Sequence, residues 1–243
     1  MRKRVKVFFN KTQIKYMQAL QKMRWLIAGR GFGKSTLIAW IIYEMLRALP
    51  RGKIFFASTT VEQIKNSTLP AVEAKLSEFG LVKGVHYVVC QRPPEHYDTP
   101  ISPPEDYETC LTFWNGFTIV LLSLARPKSK RGGSYDGGII DEAAFNKAEP
   151  VKQVLLPMVR GNTYRFLVKK ILKAGTKIRL KNGKVKVLKK DTEVMRPNSW
   201  HQVVCFMSSK PRKPEGFWIY EYRDMAQENP KEILWLEASA WIS

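Results

Sequence analysis

The chain has 243 residues, a length that suits one large α/β domain or one domain with a small appendage and excludes two full motor domains. Its 41 Lys and Arg against 21 Asp and Glu give a formal net charge of +20. Such a charge exceeds what solubility needs and implies a polyanionic partner, nucleic acid before an anionic membrane surface; a small-molecule kinase has no use for so large a basic face.

In chain order, residues 10 to 22, NKTQIKYMQALQK, predict a short polar helix ahead of a first core strand, MRWLI. AGRGFGKST (28 to 36) follows, and then an apolar helical pattern, LIAWIIYEML, which ends near Pro50. KIFFAST (53 to 59) reads as a second buried strand, and a mostly helical segment to Gly80 is expected to break around Pro70. HYVVC precedes a proline-rich loop from Arg92 to Glu105. TCLTFW and FTIVLL flank Asn115 and Gly116, a pair suited to a two-residue hairpin turn. RGGSYDGG leads into IIDEAAF, a helix containing VKQVLLPMV comes next, and a strongly basic region runs to Lys190 before the strand VVCFM and the helix FWIYEYRDMAQ. Strands alternating with helices predict a mostly parallel sheet covered on both faces, without internal repeats.

Cys90, Cys110 and Cys205 lie far apart in apolar runs and read as buried free thiols of a reducing compartment. His86, His96 and His201 lack zinc-type spacing. No apolar stretch approaches the roughly 20 residues of a membrane span, and MRKRVKV has no signal-peptide centre, so an intracellular protein is expected.

The segment from Ala28 to Thr36 sits between a strand and a helix, the setting of a phosphate-binding loop. Gly29, Gly31 and Gly33 let backbone N–H groups curl around a polyphosphate, with the positive end of the following helix behind them. Lys34 can reach the β and γ phosphates, and the Ser35 hydroxyl is placed for Mg²⁺. Ala28 stands where the pattern usually has glycine, and only a small residue is required there. In GGIIDEAAF, Asp141 and Glu142 stand at the end of a buried strand: Asp141 suits a metal role, and Glu142 can polarise a water toward a γ-phosphate. Ser208 and Ser209 emerge from VVCFM, placed either to sense the γ-phosphate or merely to cap a helix or form a turn.

GRGFGKST, the IFFAST strand, GGSYDGGIIDEAAF and MSSKPRKPEGFWIYEY, in this order from about Gln13 to Tyr222, resemble the ATPase domain of the large terminase subunit, the genome-packaging motor of tailed bacteriophages. The resemblance implies a RecA-like phosphate-loop NTPase fold of the additional-strand, catalytic-glutamate type. It further implies ATP and Mg²⁺, and a homo-oligomeric ring on a portal protein, served by a small terminase subunit, that moves double-stranded DNA into a procapsid in the host cytoplasm. By the same resemblance Gln13 takes adenine recognition, Lys34, Ser35 and Thr36 the phosphates and metal, Asp141 the metal, Glu142 catalysis, and Ser208 and Ser209 coupling. Lys210 departs from the coupling motif, where another small or hydroxyl residue is usual. Family members carry a C-terminal nuclease domain; this chain ends at Ser243 without a further acidic cluster that could hold two metals, so 1 to 243 is expected to be a single ATPase domain without nuclease activity.

Two arginines suit a catalytic role: Arg30 in cis within the loop, and Arg131 in SKRGGSYDGG, which the resemblance makes the finger acting on a neighbour's nucleotide. From Arg160 to Lys190 twelve basic residues occur without an acid. Within this stretch, part of an insertion from about 162 to 199, KIRLKNGKVKV predicts a hairpin with Asn182 and Gly183 in a two-residue turn. That register pairs Lys181 with Lys184 and Arg179 with Lys186 on one face, opposite Ile178, Leu180, Val185 and Val187. Like charges so placed destabilise a hairpin unless an anion covers them; DNA phosphates are the expected one, and a solvated flap with its apolar side on the domain is the alternative. The competing readings are a helicase-type ATPase core, for which no second motor domain is visible, and a nucleotide-gated assembly module with little turnover.

Overall fold

The computed structural model of the chain describes residues 7–126, 133–179 and 184–238, the side chains of Thr163, Tyr164 and Arg179 excepted. Its strands are β1 (Met23–Ala28), β2 (Lys53–Ser58), β3 (Tyr87–Val89), β4 (Cys110–Phe113), β5 (Thr118–Ser123), β6 (Gly137–Asp141), β7 (Leu167–Leu172), β8 (Lys177–Arg179), β9 (Val185–Val187), β10 (Thr192–Pro197), β11 (Val203–Ser208) and β12 (Ile233–Ala238). Eight of them form one sheet in the order β12-β1-β11-β6-β2-β5-β4-β3. The first six run parallel, and β4 and β3 add an antiparallel edge. This is the expected mostly parallel α/β sheet. β12, read from sequence only as an apolar ending, is its edge strand beside β1.

Parallel strands covered on both faces are apolar at nearly every position, and alternate residues feed opposite layers. Leu26, Ile54, Phe56, Ile139, Cys205 and Met207 pack with Leu37, Ile38, Ile41, Ile42 and Met45 of helix α2 (Lys34–Ala48). Trp25, Ile27, Phe55, Ile140 and Phe206 pack on the other face with Trp218, Ile219 and Tyr222. Trp25 stacks on Phe206 with ring centroids 3.8 Å apart. Each such fully buried side chain contributes about 1.5–3 kcal/mol. A Cβ on Gly138 would lie 2.2 Å from the Phe55 ring, so the strand that carries the acidic pair has glycine where that ring crosses it.

Helix α1 (Lys11–Met17) is shorter than the pattern suggested, and a reciprocal capping box between Asn10 and Gln13 starts it. The segment after β2 does not break at Pro70. It runs as α3 (Val61–Gln63), a π turn (Ile64–Thr68) and α4 (Leu69–Glu78), with the Leu69 N–H donating to the Ile64 carbonyl five residues back. Proline lacks an N–H and its ring crowds the carbonyl four residues earlier, here that of Asn66, and widening the turn relieves the crowding. The same solution recurs before Pro157: a π turn (Pro150–Leu155) passes into α5 (Leu156–Met158), and the Leu156 N–H donates to Val151. Helix α6 (Ile219–Glu228) precedes β12.

Both predicted hairpins are shifted by one residue of register. β4 and β5 pair Leu111 with Ile119 and Thr112 with Thr118, which leaves a three-residue loop, Trp114 to Gly116, with Gly116 left-handed at φ 73°. In the basic hairpin, β8 and β9 pair Lys177 with Val187, Ile178 with Lys186 and Arg179 with Val185. One residue of register changes every partner, so the expected Arg179 and Lys186 pair does not form and charge is not segregated onto one face. Val185 and Val187 are exposed. Lys181, Asn182 and Gly183 lie outside the described residues. The basic region extends further than one hairpin, because β7 and β10 pair antiparallel and carry the β8 and β9 ribbon between them. Ion pairs from Lys169 to Glu193 and from Lys173 to Asp191 lie along this arm.

Cys110 and Cys205 are buried and Cys90 is half-buried, all as free thiols. Among the described residues no helix is long and apolar enough to cross a membrane.

Candidate nucleotide site

β11 lies between β1 and β6, and its register, Ser208 beside Ile27 and Met207 beside Asp141, brings the carboxyl ends of all three strands level. Open α/β sheets bind ligands at this edge. There a crevice of about 540 Å³ is lined by Gly29 to Ser35, Asp141, Glu142 and Phe145, and by Gln63, Ser67 and Thr68 of the helix after β2. The structure therefore brings together the loop, the acidic pair more than a hundred residues after it, and the serine pair 66 residues further on.

The loop turns at Gly31 and Gly33, with φ of 80° and 86°, values that glycine adopts without a Cβ penalty. Gly33 ends the loop as the N-cap of α2, whose first turn carries Lys34, Ser35 and Thr36. Arg30 is exposed at the mouth of the crevice. Gln13 is almost fully buried: its Nε2 donates to the carbonyls of Phe32 and Gly33 at 3.2 and 3.3 Å, and its Oε1 accepts from the Asn10 N–H. Its amide thus braces the loop from behind.

Lys34 Nζ donates to the Ala28 carbonyl at 3.0 Å and to Ser209 Oγ at 3.1 Å, and lies 3.5 Å from Glu142 Oε1. Glu142 is left-handed, with φ 55° and ψ 41°, an uncommon conformation for a residue with a Cβ. The surroundings over-determine it. Its N–H donates to the Met207 carbonyl at 2.7 Å, and its own carbonyl accepts from Asn146 Nδ2 at 3.1 Å. Its carboxylate accepts from the Ser209 N–H at 2.9 Å, from Ser209 Oγ at 3.2 Å and from Ser208 Oγ at 3.4 Å. Ser208 Oγ also accepts from the Ala144 N–H. The serine pair is thus a cradle for the glutamate. It is not a helix cap, since the next helical turn begins at Pro214 behind Lys213. The departure at Lys210 is exposed, 3.8 Å from Glu237.

Asp141 is buried, and its carboxyl is pushed up to about 6, first by that burial and then by the neighbouring Glu142, against the opposing pull of Thr68 and Lys34. Thr68 Oγ1 donates to Asp141 Oδ2 at 2.9 Å. A buried carboxylate and the Ser35 hydroxyl, hard oxygen donors on one crevice, fit Mg²⁺, which takes few protein ligands and completes its shell with phosphate and water.

Arg131 lies outside the described residues. Arg179 and Lys186 belong to the separate two-stranded ribbon of the arm, and Lys184 stands just before its second strand. Sequence reasoning missed Gln63, Ser67, Thr68 and Asn146. The one signal for the first three was a polar run, QIKNST, ahead of Leu69 and Pro70.

No protein-family model matches the chain, and no curated protein matches it. Solved structures do. The ATPase domain of the Thermus phage P74-26 large terminase, in an arginine-to-alanine mutant, superposes with a TM-score of 0.53 at 17% identity, over 96% of this chain and 82% of that one. The large terminase of another thermophilic bacteriophage, in complex with ADP, gives 0.55 at 15% identity, over 96% of this chain and 46% of that one. A second crystal of the latter protein gives 0.51 at 16%, and this chain spans less than half its length. The fold is that of large-terminase ATPase domains, as the motif order implied.

Proposed function

We propose that this chain is the ATP-hydrolysing motor domain of a viral terminase large subunit and drives double-stranded DNA into a procapsid. The observation that carries the reading is the convergence of Lys34, Asp141, Glu142 and Ser209 on one strand edge under a glycine-rich loop. The ADP in one structural neighbour agrees with a nucleotide there.

Phosphate entering the crevice meets the loop N–H groups and competes with Glu142 for Lys34, a charge-assisted contact of about 1.5–3 kcal/mol. Once Lys34 turns to the phosphates, the Glu142 carboxylate loses its cation and is free to orient a water in line with the γ-phosphate. Ser35 and Asp141 would hold Mg²⁺, which when bound neutralises charge on the β and γ oxygens. Ser209 bonds the same carboxylate through its N–H and its hydroxyl, so displacement of Glu142 pulls on the end of β11 and the segment leading to α6. That chain of contacts is the coupling route. An arginine from Arg131 of a neighbouring subunit, or Arg30 in cis, completes the charge stabilisation.

The net charge of +20 and the basic arm support duplex DNA as the polyanion. The portal, the small terminase subunit and the ring belong to the same proposal, as does a single ATPase domain over residues 1 to 243. With the hairpin register observed, the ribbon's charges are divided between its two faces, and phosphate contact is not confined to one of them.

The test is phosphate release from Mg-ATP with and without duplex DNA, alongside a salt titration of duplex binding. Release above background and stimulation by duplex are expected; ATP binding without release would favour the assembly-module reading. If Arg179, Lys181, Lys184 and Lys186 each neutralise a phosphate, changing all four to Gln makes the slope of log affinity against log salt shallower by roughly 3 to 4, at about 0.9 per contact. An unchanged slope in a folded variant moves the DNA path elsewhere.

A further inference from the structure

The π turn between α3 and α4 places a side chain on the acidic pair that neither the loop nor the strand ends account for. Ile64 and Leu69 are both buried, five residues apart, so the core-facing stripe takes a π-sized step before resuming at Val72 and Leu76. In an uninterrupted α-helix the stripe would continue at three- and four-residue intervals and Thr68 would take the core position one turn after Ile64. The wider turn gives that position to Leu69 and leaves Thr68 over the sheet edge, where its hydroxyl donates to Asp141 Oδ2 at 2.9 Å. Ser67 and Gln63 line the same crevice. Pro70 is the chemical reason for the wider turn, so the placement is written into the helix.

We propose that Thr68 is a positioning residue for the metal: held by the π turn, its hydroxyl fixes the rotamer of the Asp141 carboxylate and so presets that carboxylate for Mg²⁺ carried in with the nucleotide. The inference rests on the nucleotide-site reading above. A carboxylate at the end of a strand has a free χ2 rotation, and one short hydrogen bond from a second element removes it before the cation arrives. Outer partners of this kind are worth about ten- to a hundredfold in metal affinity.

The experiment titrates Mg²⁺ into the full chain with a fluorescent ribose-labelled ATP and reads equilibrium binding, with EDTA as the metal-free reference. Thr68→Val keeps shape and removes the hydroxyl; Thr68→Ser keeps the hydroxyl. The half-saturating Mg²⁺ concentration should rise about tenfold or more in Thr68→Val, with metal-free nucleotide affinity unchanged, and Thr68→Ser should restore it. Wild-type Mg²⁺ dependence in Thr68→Val would overturn the proposal. So would an equal loss in EDTA, which would make Thr68 a support of the helix and not of the carboxylate. Thermal melts of both variants identify misfolding, in which case Thr68→Ser alone decides: a raised Mg²⁺ requirement despite its hydroxyl overturns the assignment. Absence of nucleotide binding by the wild-type chain would instead overturn the nucleotide-site reading.

Discussion

Glu142→Gln should bind Mg-ATP close to normally and lose hydrolysis by about 10² to 10⁴, the range for a group that accepts or orients a proton in the transition state. The substitution is nearly isosteric, and its amide oxygen can still accept from the Ser209 N–H that now binds Glu142 at 2.9 Å. What disappears is the negative charge, and with it both the hold on Lys34 and the means to polarise water. Lys34→Ala differs, because it removes the cation from the phosphates and should weaken nucleotide binding as well. Near-normal phosphate release by the Glu142→Gln protein would remove the glutamate from catalysis.

Arg131→Ala is expected to have the largest effect of all in an assembled ring, about 10³ to 10⁵ in turnover, as for arginines that stabilise charge on a transferring phosphoryl group. The basis is the sequence: a guanidinium in the glycine-containing stretch SKRGGSYDGG, just ahead of β6. If the finger acts on a neighbour, as proposed, mixing Arg131→Ala with Lys34→Ala subunits should recover part of the activity. Each variant supplies what the other lacks. No recovery at any ratio, in rings shown to contain both variants, would leave Arg30 as the better candidate. Arg30 already lies at the mouth of the crevice.

The parts of this site legible in the sequence are those whose chemistry is local. A glycine-rich turn between strand and helix, and a pair of acids ending an apolar run, must look as they do wherever they occur. The level alignment of Met207 with Asp141, which brings Ser208 and Ser209 to Glu142, was readable only as an expectation, because it depends on β11 entering between β1 and β6. For Thr68 the polar run QIKNST was too weak a signal, since its placement comes from a turn widened by Pro70 and no residue pattern distinguishes that from a helix break. Gln13 was named for adenine recognition by resemblance alone, and what the structure shows is its amide bonded to the loop carbonyls. The hairpin registers failed for a common reason: Asn-Gly favours a two-residue turn, yet Gly116 sits in a three-residue loop, and the observed pairing of β8 with β9 centres on position 182 in the same way. A shift that small left strand positions nearly right and reversed the conclusion about which charges share a face.

Before nucleotide arrives Glu142 is held by Lys34 and Ser209, and the proposed mechanism requires the Lys34 contact to be released afterwards. The measurement that tests it most directly is a structure of the chain with Mg²⁺ and a non-hydrolysable ATP analogue, read at the Lys34 Nζ to Glu142 Oε1 distance, now 3.5 Å. The prediction is phosphates seated on the loop from Gly29 to Ser35, Lys34 Nζ bonded to them, and the Glu142 carboxylate beyond ion-pair range of that lysine and facing the γ-phosphate. Nucleotide bound outside this crevice, or bound within it while Lys34 stays on Glu142, would contradict the mechanism.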